Sequence, residues 1–123
     1  MLDSSVLLCL LNDEPGAARV VVALPSAVIG AVDLSEVVTT LRERGLSADE
    51  VEDMLSGLHL DVRPLTAAQA TATGHLRPAR RAYGLSLRDR ACLALAAELG
   101  AVVLTNDQAR AEAEVGVEVE VIR

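Results

Sequence analysis

The spacing of apolar side chains changes several times along the chain, and each change predicts the start of a new helix or strand. Apolar residues recur at helical spacing over residues 4–13 and again over about 17–24, and a Pro-Gly pair at 15–16 separates the two segments. The run AVIGAV, residues 27–32, is apolar on both faces, as a strand buried in a parallel sheet is. It leads into an amphipathic stretch ending at Gly45, which predicts a third helix.

The second half of the chain continues this alternation of helices and strands. Ser47 and Glu50 have the spacing of a capping box, which predicts a helix to about Gly57, and residues 58–65 alternate between apolar and polar side chains as a strand does. The remaining predicted elements are, in order, a helix over about 67–82 capped by Thr66, an apolar helix over about 87–99, a strand over 101–105, a short helix, and a closing strand over 117–123. This order predicts an α/β fold, a three-layer α/β/α sandwich with a mainly parallel sheet.

Length and composition favour one domain. The 123 residues are enough for a single compact domain, residues 1–123, and too few for a catalytic domain joined to a separate binding domain. Hydrophobic residues make up 51% of the sequence, but no apolar run approaches the roughly 18 residues that span a bilayer, and the N-terminus lacks the features of a secretory signal. We therefore expect a soluble, cytoplasmic protein with no membrane partner. Cys9 and Cys92 lie in apolar helical patterns without zinc-site spacing, which predicts buried, reduced thiols.

The charge balance argues at first against a nucleic-acid partner. There are 18 acidic residues against 11 Lys and Arg residues, all of them Arg, and the net charge is −7. Tyr83 is the single aromatic residue, so base stacking on aromatic side chains is disfavoured. The objection weakens if several acids surround a divalent cation, because the charge of that site falls and Arg side chains can then face a phosphate chain.

Four acidic residues are predicted to meet at one end of the sheet, three of them directly after predicted strands. They are Asp3, Glu36 in the first turn after AVIGAV, Asp89 in the first turn of an apolar helix, and Asp107. The carboxyl ends of parallel strands lie side by side, so residues distant in sequence converge on one crevice. A cluster of carboxylate oxygens suits Mg²⁺ or Mn²⁺ and would be costly without a cation.

Helix capping explains the same residues one at a time. Asp33-x-x-Glu36 and Ser86-x-x-Asp89 both have capping-box spacing, and an acid in the first turn of a helix is stabilised by the helix dipole. Capping makes no demand that the acids meet, whereas a metal site requires it. Both interpretations stand at this point, and the arrangement of the four acids in space distinguishes them.

Four segments carry these acids in chain order: LDSSVLLCLLNDEPGA, AVDLSEVVTTLRERG, GLSLRDRACLALAAELG and VVLTNDQA. Together they resemble the PIN-domain family, in particular the toxins of bacterial VapBC toxin–antitoxin pairs. The resemblance implies an endoribonuclease of a type II toxin–antitoxin pair, a hydrolase in which Mg²⁺ or Mn²⁺ activates water to cleave RNA phosphodiester bonds. Its catalytic and metal-binding positions carry over to Asp3, Glu36, Asp89 and Asp107. We expect the three Asp residues to hold the cation and Glu36 to complete its coordination or orient the attacking water.

Further residues are candidates for supporting roles in this site. The resemblance implies that the hydroxyls of Ser5 and Thr105 hold a carboxylate or a coordinated water, and local backbone capping explains them equally well. Arg residues cluster within 14 positions around Asp89, namely Arg77, Arg80, Arg81, Arg88 and Arg90. The planar guanidinium suits phosphate oxygens, so Arg81, Arg88 and, to a lesser degree, Arg90 are predicted to contact RNA. Arg88 departs from the family pattern, in which Gly is common before this Asp.

The resemblance implies three partners: an RNA substrate, a small cognate antitoxin, and a second copy of the chain in a homodimer or toxin–antitoxin hetero-oligomer. Other functions fit part of the same pattern. A receiver-like phosphoacceptor domain also gathers acids at strand ends, but the absence of Lys argues against it. A degenerate PIN-like module that binds without catalysis, and a nuclease acting on DNA, both stay open, because no residue pattern reads the 2′-hydroxyl.

Overall fold

A computed structural model describes residues 1–76, 84–107 and 116–122 of the chain. Its helices are α1 (Ser4–Leu11), α2 (Ala17–Ala23), a 3₁₀ turn (Leu24–Ser26), α3 (Ala31–Glu43), α4 (Ala48–Ser56), α5 (Ala67–His75) and α6 (Leu87–Leu99). Its strands are β1 (Val28–Gly30), β2 (Asp61–Arg63), β3 (Val103–Thr105) and β4 (Val119–Val121). The predicted short helix after Asp107 and the end of the predicted 67–82 helix lie outside the described residues.

All the strand pairing in the described residues is parallel, and Leu2 stands at its centre. β1 pairs with β2, and β3 pairs with β4. Leu2 forms parallel bridges to Ile29 of β1 on one side and to Leu104 of β3 on the other. The order across the sheet is therefore β2, β1, Leu2, β3, β4, and Leu2 is the bridge that joins the two halves.

Helices cover both faces of this sheet because successive residues of a strand point to opposite sides. On one face, Leu2, Ile29 and Leu104 pack with apolar residues of α1 to α4. On the other face, Met1 and Val103 pack with α6, whose side chains at Cys92, Leu93 and Ala96 are buried. The predicted three-layer α/β/α arrangement with a parallel sheet is confirmed.

Polar side chains at helix N-termini set where the helices begin. Capping boxes form at Ser47 with Glu50, at Thr66 with Gln69, and at Ser86 with Asp89. In each box, the N-cap hydroxyl accepts a hydrogen bond from the third backbone N–H of the helix, and the third side chain accepts one from the cap. α6 ends where Gly100 adopts a left-handed conformation (φ 61°), as the sequence predicts.

The strands are shorter than predicted, and this moves one candidate residue. The run 27–32 contributes only Val28–Gly30 to the sheet, because its partner β2 is also three residues long. Helix α3 therefore begins at Ala31 and takes up the last two residues of that run. As a result Glu36 lies in the second turn of α3, and the prediction that it lies in the first turn is wrong.

Two further expectations concern the interior and the helix lengths. Cys9 and Cys92 are both buried and unbridged, which confirms the prediction of reduced thiols. Within residues 1–76, 84–107 and 116–122, no helix is both long enough and apolar enough to cross a membrane.

Candidate active site

Asp3 is the innermost of the predicted acids and caps a helix at the carboxyl end of the central strand position. Its side chain is fully buried, and Oδ1 accepts hydrogen bonds from the Val6 backbone N–H (3.1 Å) and the Ser5 hydroxyl (2.6 Å). Its own backbone N–H donates to Leu104 of β3 at 3.2 Å. Asp3 is thus fixed to both α1 and the sheet.

Ser5 and Thr105 tie the end of β3 to this carboxylate. The Ser5 hydroxyl, besides donating to Asp3, accepts a hydrogen bond from the Asn106 backbone N–H at 2.9 Å. Thr105 is fully buried, and its hydroxyl accepts from the Asp107 backbone N–H at 3.0 Å. Ser5 therefore holds a carboxylate, one of its two predicted roles, while Thr105 shapes the local turn that carries Asp107. Asp107 itself is solvent-exposed.

A fifth acid, Asp33, lies in the same crevice. It belongs to the first turn of α3, is 1% exposed, and accepts a hydrogen bond from the Ser4 backbone N–H at 3.0 Å. The expected capping box between Asp33 and Glu36 does not form, because the N-cap of α3 is Gly30 and no side chain caps it. The sequence does offer one signal for Asp33, since it is the first acid after the buried run AVIGAV.

Asp33 also contacts the one buried thiol of α6 on this side of the sheet. Burial is the largest cause that raises the pKa of Cys92 well above its ordinary value, and the negative charges of Asp33 and Asp3 add to the effect. A thiol beside two carboxylates stays protonated at neutral pH, because a third negative charge there is unfavourable. Cys92 is therefore a hydrogen-bonding neighbour of the acids and not a nucleophile.

Asp89 approaches the crevice from the first turn of α6. It is 6% exposed, and its Oδ2 accepts a hydrogen bond from the Ser86 backbone N–H at 2.9 Å. In return, its own N–H donates to the Ser86 hydroxyl at 3.2 Å. The capping interpretation of Asp89 is confirmed by this geometry, and the same capping box also holds the carboxylate in one orientation.

Arg88 contacts side chains of three different helices, two of them acids. Its guanidinium donates to the Ser4 hydroxyl at 3.0 Å and to Asp89 Oδ1 at 3.4 Å, and it lies 3.6 Å from Glu36 Oε2. Glu36 is the most open of the three partners, with 46% of its side chain exposed. Arg88 thus links Glu36 and Asp89 to Ser4, the residue that follows Asp3, whereas Asp107 is held separately through its backbone N–H by Thr105.

The other Arg predictions have different outcomes. Arg90 is 8% exposed, and its guanidinium donates to the Thr73 backbone carbonyl at 3.2 Å, so it supports the packing of α6 against α5. This buried position leaves no surface for the predicted RNA contact of Arg90. Arg81, with Arg77 and Arg80, lies outside the described residues.

The described residues of the crevice include side chains that can bind a divalent cation, but they are not arranged as a metal site. In the described ranges, no group of three or more His, Cys, Asp or Glu side chains is arranged to hold a metal ion. The oxygens that meet are carboxylates, the ligands that Mg²⁺ and Mn²⁺ prefer. Asn106 adds a side-chain oxygen that is buried and has no hydrogen-bond partner within the part of the chain described. These oxygen ligands suit a hard divalent cation. In this structure the positively charged guanidinium of Arg88 lies next to two of them, on Asp89 and Glu36.

Comparison with known proteins places the chain among α/β proteins of one family. The sequence model of the PIN domain matches residues 1–115. No curated protein sequence matches the chain.

Three solved structures share the fold at low sequence identity. A DNA-bound VapBC from Salmonella typhimurium is 22% identical with a TM-score of 0.79, and the match covers 100% of this chain and 97% of that one. VapBC2 from Rickettsia felis, bound to a DNA fragment from its promoter, is 16% identical with a TM-score of 0.78, covering 98% and 96%. A toxin–antitoxin complex from Klebsiella pneumoniae is 19% identical with a TM-score of 0.73, covering 97% and 93%.

These likenesses establish the fold, and the sequence model carries the assignment to a family. Its match spans all four segments in which Asp3, Glu36, Asp89 and Asp107 lie. The chain belongs to the PIN domain family.

Proposed function

We propose that this PIN domain is a Mg²⁺- or Mn²⁺-dependent endoribonuclease and acts in the cytoplasm as the toxin of a type II toxin–antitoxin pair. The observation that carries the proposal is the convergence of side chains at the carboxyl ends of the strands: Arg88 links Asp89 and Glu36 to Ser4, and Ser4 directly follows the buried Asp3. Independent helix caps have no reason to share one crevice. A hydrolytic site does, because its acids must act on one phosphate.

The site residues are proposed to have different roles in hydrolysis. Asp3, Asp89 and Asp107, with Glu36 at the open rim, would hold the divalent ion. Once bound, the ion supplies a Lewis acid that polarises the phosphate and makes water a stronger nucleophile at neutral pH. Ser5 fixes the Asp3 carboxylate, and Ser86 fixes Asp89, so neither has to reorganise during the reaction. Glu36, the exposed acid, is proposed to complete the coordination of the ion or to orient the attacking water.

RNA would lie along the open groove next to Glu36. This groove is lined by Val32, Glu36, Ser86, Leu87 and Arg88. Arg88 and, from outside the described residues, Arg81 are proposed to contact backbone phosphates there, because a guanidinium can pair with two phosphate oxygens at once. Binding through such contacts weakens as salt concentration rises.

An antitoxin and a second copy of the chain are the proposed protein partners. The antitoxin is proposed by analogy with the solved VapBC complexes. On this chain, the exposed apolar side chains of α2 support a protein partner. Val22 is 76% exposed and Val21 54%, which leaves an apolar strip that a partner helix can cover.

Cleavage of RNA by the purified protein tests the proposal. The wild type, freed of any antitoxin, is incubated with total bacterial RNA, with and without Mn²⁺ or Mg²⁺, beside a single-stranded DNA control. We expect discrete RNA fragments only with metal, and a loss of at least about a hundredfold in rate for Asp89→Asn, which keeps the cap but removes the charge. Asp53→Asn, which removes an exposed charge on α4, is the matched control and should cleave normally.

A binding module without catalysis is the second candidate, and a specific observation favours it. Arg88 already pairs with Glu36 and Asp89, and no metal-ready group of three is present in the residues described. If folded wild type binds neither cation and leaves RNA intact, this candidate replaces the nuclease. Cleavage of the DNA control with equal efficiency would instead assign the site to DNA.

A further inference from the structure

The Arg88 side chain lies in the crevice but makes few short hydrogen bonds there. Its side chain is 32% exposed, yet its Nε is buried and has no hydrogen-bond partner in the described part of the chain. Its approaches to Asp89 (3.4 Å) and Glu36 (3.6 Å) exceed the roughly 2.7–2.9 Å of strong charge-assisted hydrogen bonds. The guanidinium therefore lies between the acids as a positive charge and makes few strong bonds.

We propose that Arg88 is the counter-cation of the metal-free protein, so that its guanidinium and a divalent ion exclude each other from the same carboxylates. This inference rests on the proposed function, because it assumes that the acids bind a metal. It adds a competing residue within the chain that sets how tightly the metal is held.

Electrostatics gives the reason for such a residue. Asp3, Asp33 and Asp89 are all nearly or fully buried, and Glu36 lies 3.6 Å from the Arg88 guanidinium. Burying negative charge without a compensating positive charge is unfavourable, so a cation next to these carboxylates stabilises the folded protein. An Arg side chain stays charged at any pH that the protein meets, so Arg88 can supply this positive charge when no metal is bound.

A divalent ion can displace Arg88 because it offers more charge in less volume. One guanidinium reaches Ser4, Asp89 and Glu36 from one side. A small ion with two charges can coordinate several carboxylate oxygens at about 2.0–2.1 Å. The released side chain then has the open groove next to it, since Arg88 lines that groove together with Ser86 and Leu87. Metal binding would thus present a guanidinium to the surface where a phosphate chain is proposed to lie.

If Arg88 competes with the metal, removing its side chain should increase Mn²⁺ affinity. If Arg88 only supported the metal ligands, removing it should decrease that affinity. Binding of Mn²⁺ to the protein without RNA is measured by isothermal titration calorimetry. We expect Arg88→Ala to bind Mn²⁺ about tenfold more tightly than wild type, equivalent to about 1.4 kcal/mol. Arg88→Gln should behave similarly because it lacks the charge, and Arg88→Lys should stay near wild type because it keeps it.

Arg19→Ala is the matched control for charge. Arg19 forms an exposed ion pair with Glu120 and borders a pocket with Met1 and Val102, at the other end of the strands. Its loss changes net charge equally, and Mn²⁺ affinity should remain within about twofold of wild type. Equal or weaker Mn²⁺ binding by both Arg88→Ala and Arg88→Gln would overturn the competition while leaving the nuclease proposal intact. No binding by wild type or any Arg88 variant would overturn both.

A second measurement separates competition from a general change in the fold. Without metal, Arg88→Ala should unfold at lower urea than wild type, since the buried acids lose their counter-charge. Saturating Mn²⁺ should bring its unfolding midpoint up to that of metal-loaded wild type or above. A deficit that Mn²⁺ leaves uncorrected would show that Arg88 serves only packing, and the proposal would fail.

Discussion

Asp3 shows how one side chain can serve as a helix cap and as a proposed metal ligand. Its Oδ1 accepts hydrogen bonds from Val6 and Ser5, so the carboxylate begins α1 and is also fixed in direction. The two roles need different properties. Capping needs an acceptor oxygen, which Asn also provides, whereas metal binding needs the negative charge.

Substituting Asp3 in two ways separates these roles. Asp3→Asn should keep most of the free energy of unfolding and lose metal-dependent RNA cleavage. Asp3→Ala should lose cleavage too, and its free energy of unfolding should fall by about 1–2 kcal/mol from the lost cap. Urea denaturation and cleavage assays on both variants check this. Full cleavage by Asp3→Asn would leave capping as the only role of Asp3.

At this scale the sequence selects candidate acids but does not predict their hydrogen-bond partners. Asp3, Glu36, Asp89 and Asp107 could be selected because acids after strands or at helix starts are visible as a pattern. The bond from the Ser4 N–H to Asp33 joins residues 29 positions apart and has no local signature. The burial of Arg90 depends in the same way on the position of α5 beneath it.

Capping boxes are the clearest case in which an element and the site depend on the same residue. Ser47 begins α4 and Ser86 begins α6, with the same pair of reciprocal hydrogen bonds. Both serines are exposed, so the two caps are close equivalents in energy. They differ in the surroundings of the third helix residue, because Glu50 lies at an exposed helix end and Asp89 lies in the crevice.

This equivalence yields a paired prediction. Ser47→Ala and Ser86→Ala should each lower the free energy of unfolding by about 1 kcal/mol. Only Ser86→Ala should also weaken Mn²⁺ binding, by up to about tenfold, because the lost hydroxyl accepts from the Asp89 N–H and so helps to hold the turn that carries this carboxylate. Denaturation and calorimetry on the two variants provide the measurement. Unchanged Mn²⁺ affinity in Ser86→Ala would show that the Ser86 hydroxyl does not position Asp89 for a metal.

Elements of the fold are predicted more securely than their ends. The helices at 4–13, 17–24 and 87–99 follow from apolar spacing and from residues that stop a helix, and the structure has each within a few residues. The strands are overestimated, because a β-branched run such as 27–32 extends past the length that its neighbour can pair with. The run therefore ends early, and the remaining residues join α3.

Across the whole molecule, Leu2 connects the two halves of the sheet. It is 0% exposed and bridges Ile29 and Leu104, and the cluster around it includes Val6 and Val20. A single residue in this position carries both the pairing and the packing at the sheet centre. No other described segment pairs with both β1 and β3.

Truncation of Leu2 should therefore be costly. Leu2→Ala is expected to lower the free energy of unfolding by about 3 kcal/mol, since it leaves a cavity in a closely packed region. Val22→Ala, at a position 76% exposed, should change it by less than about 0.5 kcal/mol. Chemical denaturation of the two variants against wild type gives both values. Similar losses in the two would place the main core elsewhere.

The wide separation of the acids along the chain also affects the synthesis of the protein. Asp3 and Glu36 leave the ribosome early, but β3, which pairs with Leu2 and leads to Asp107, comes only after residue 102. A nascent or prematurely ended chain that stops before β3 therefore lacks one acid and the strand beside the first. If the chain is the proposed ribonuclease, no cleavage is expected until β3 and Asp107 have been synthesised, because before then the proposed site lacks one acid and one strand.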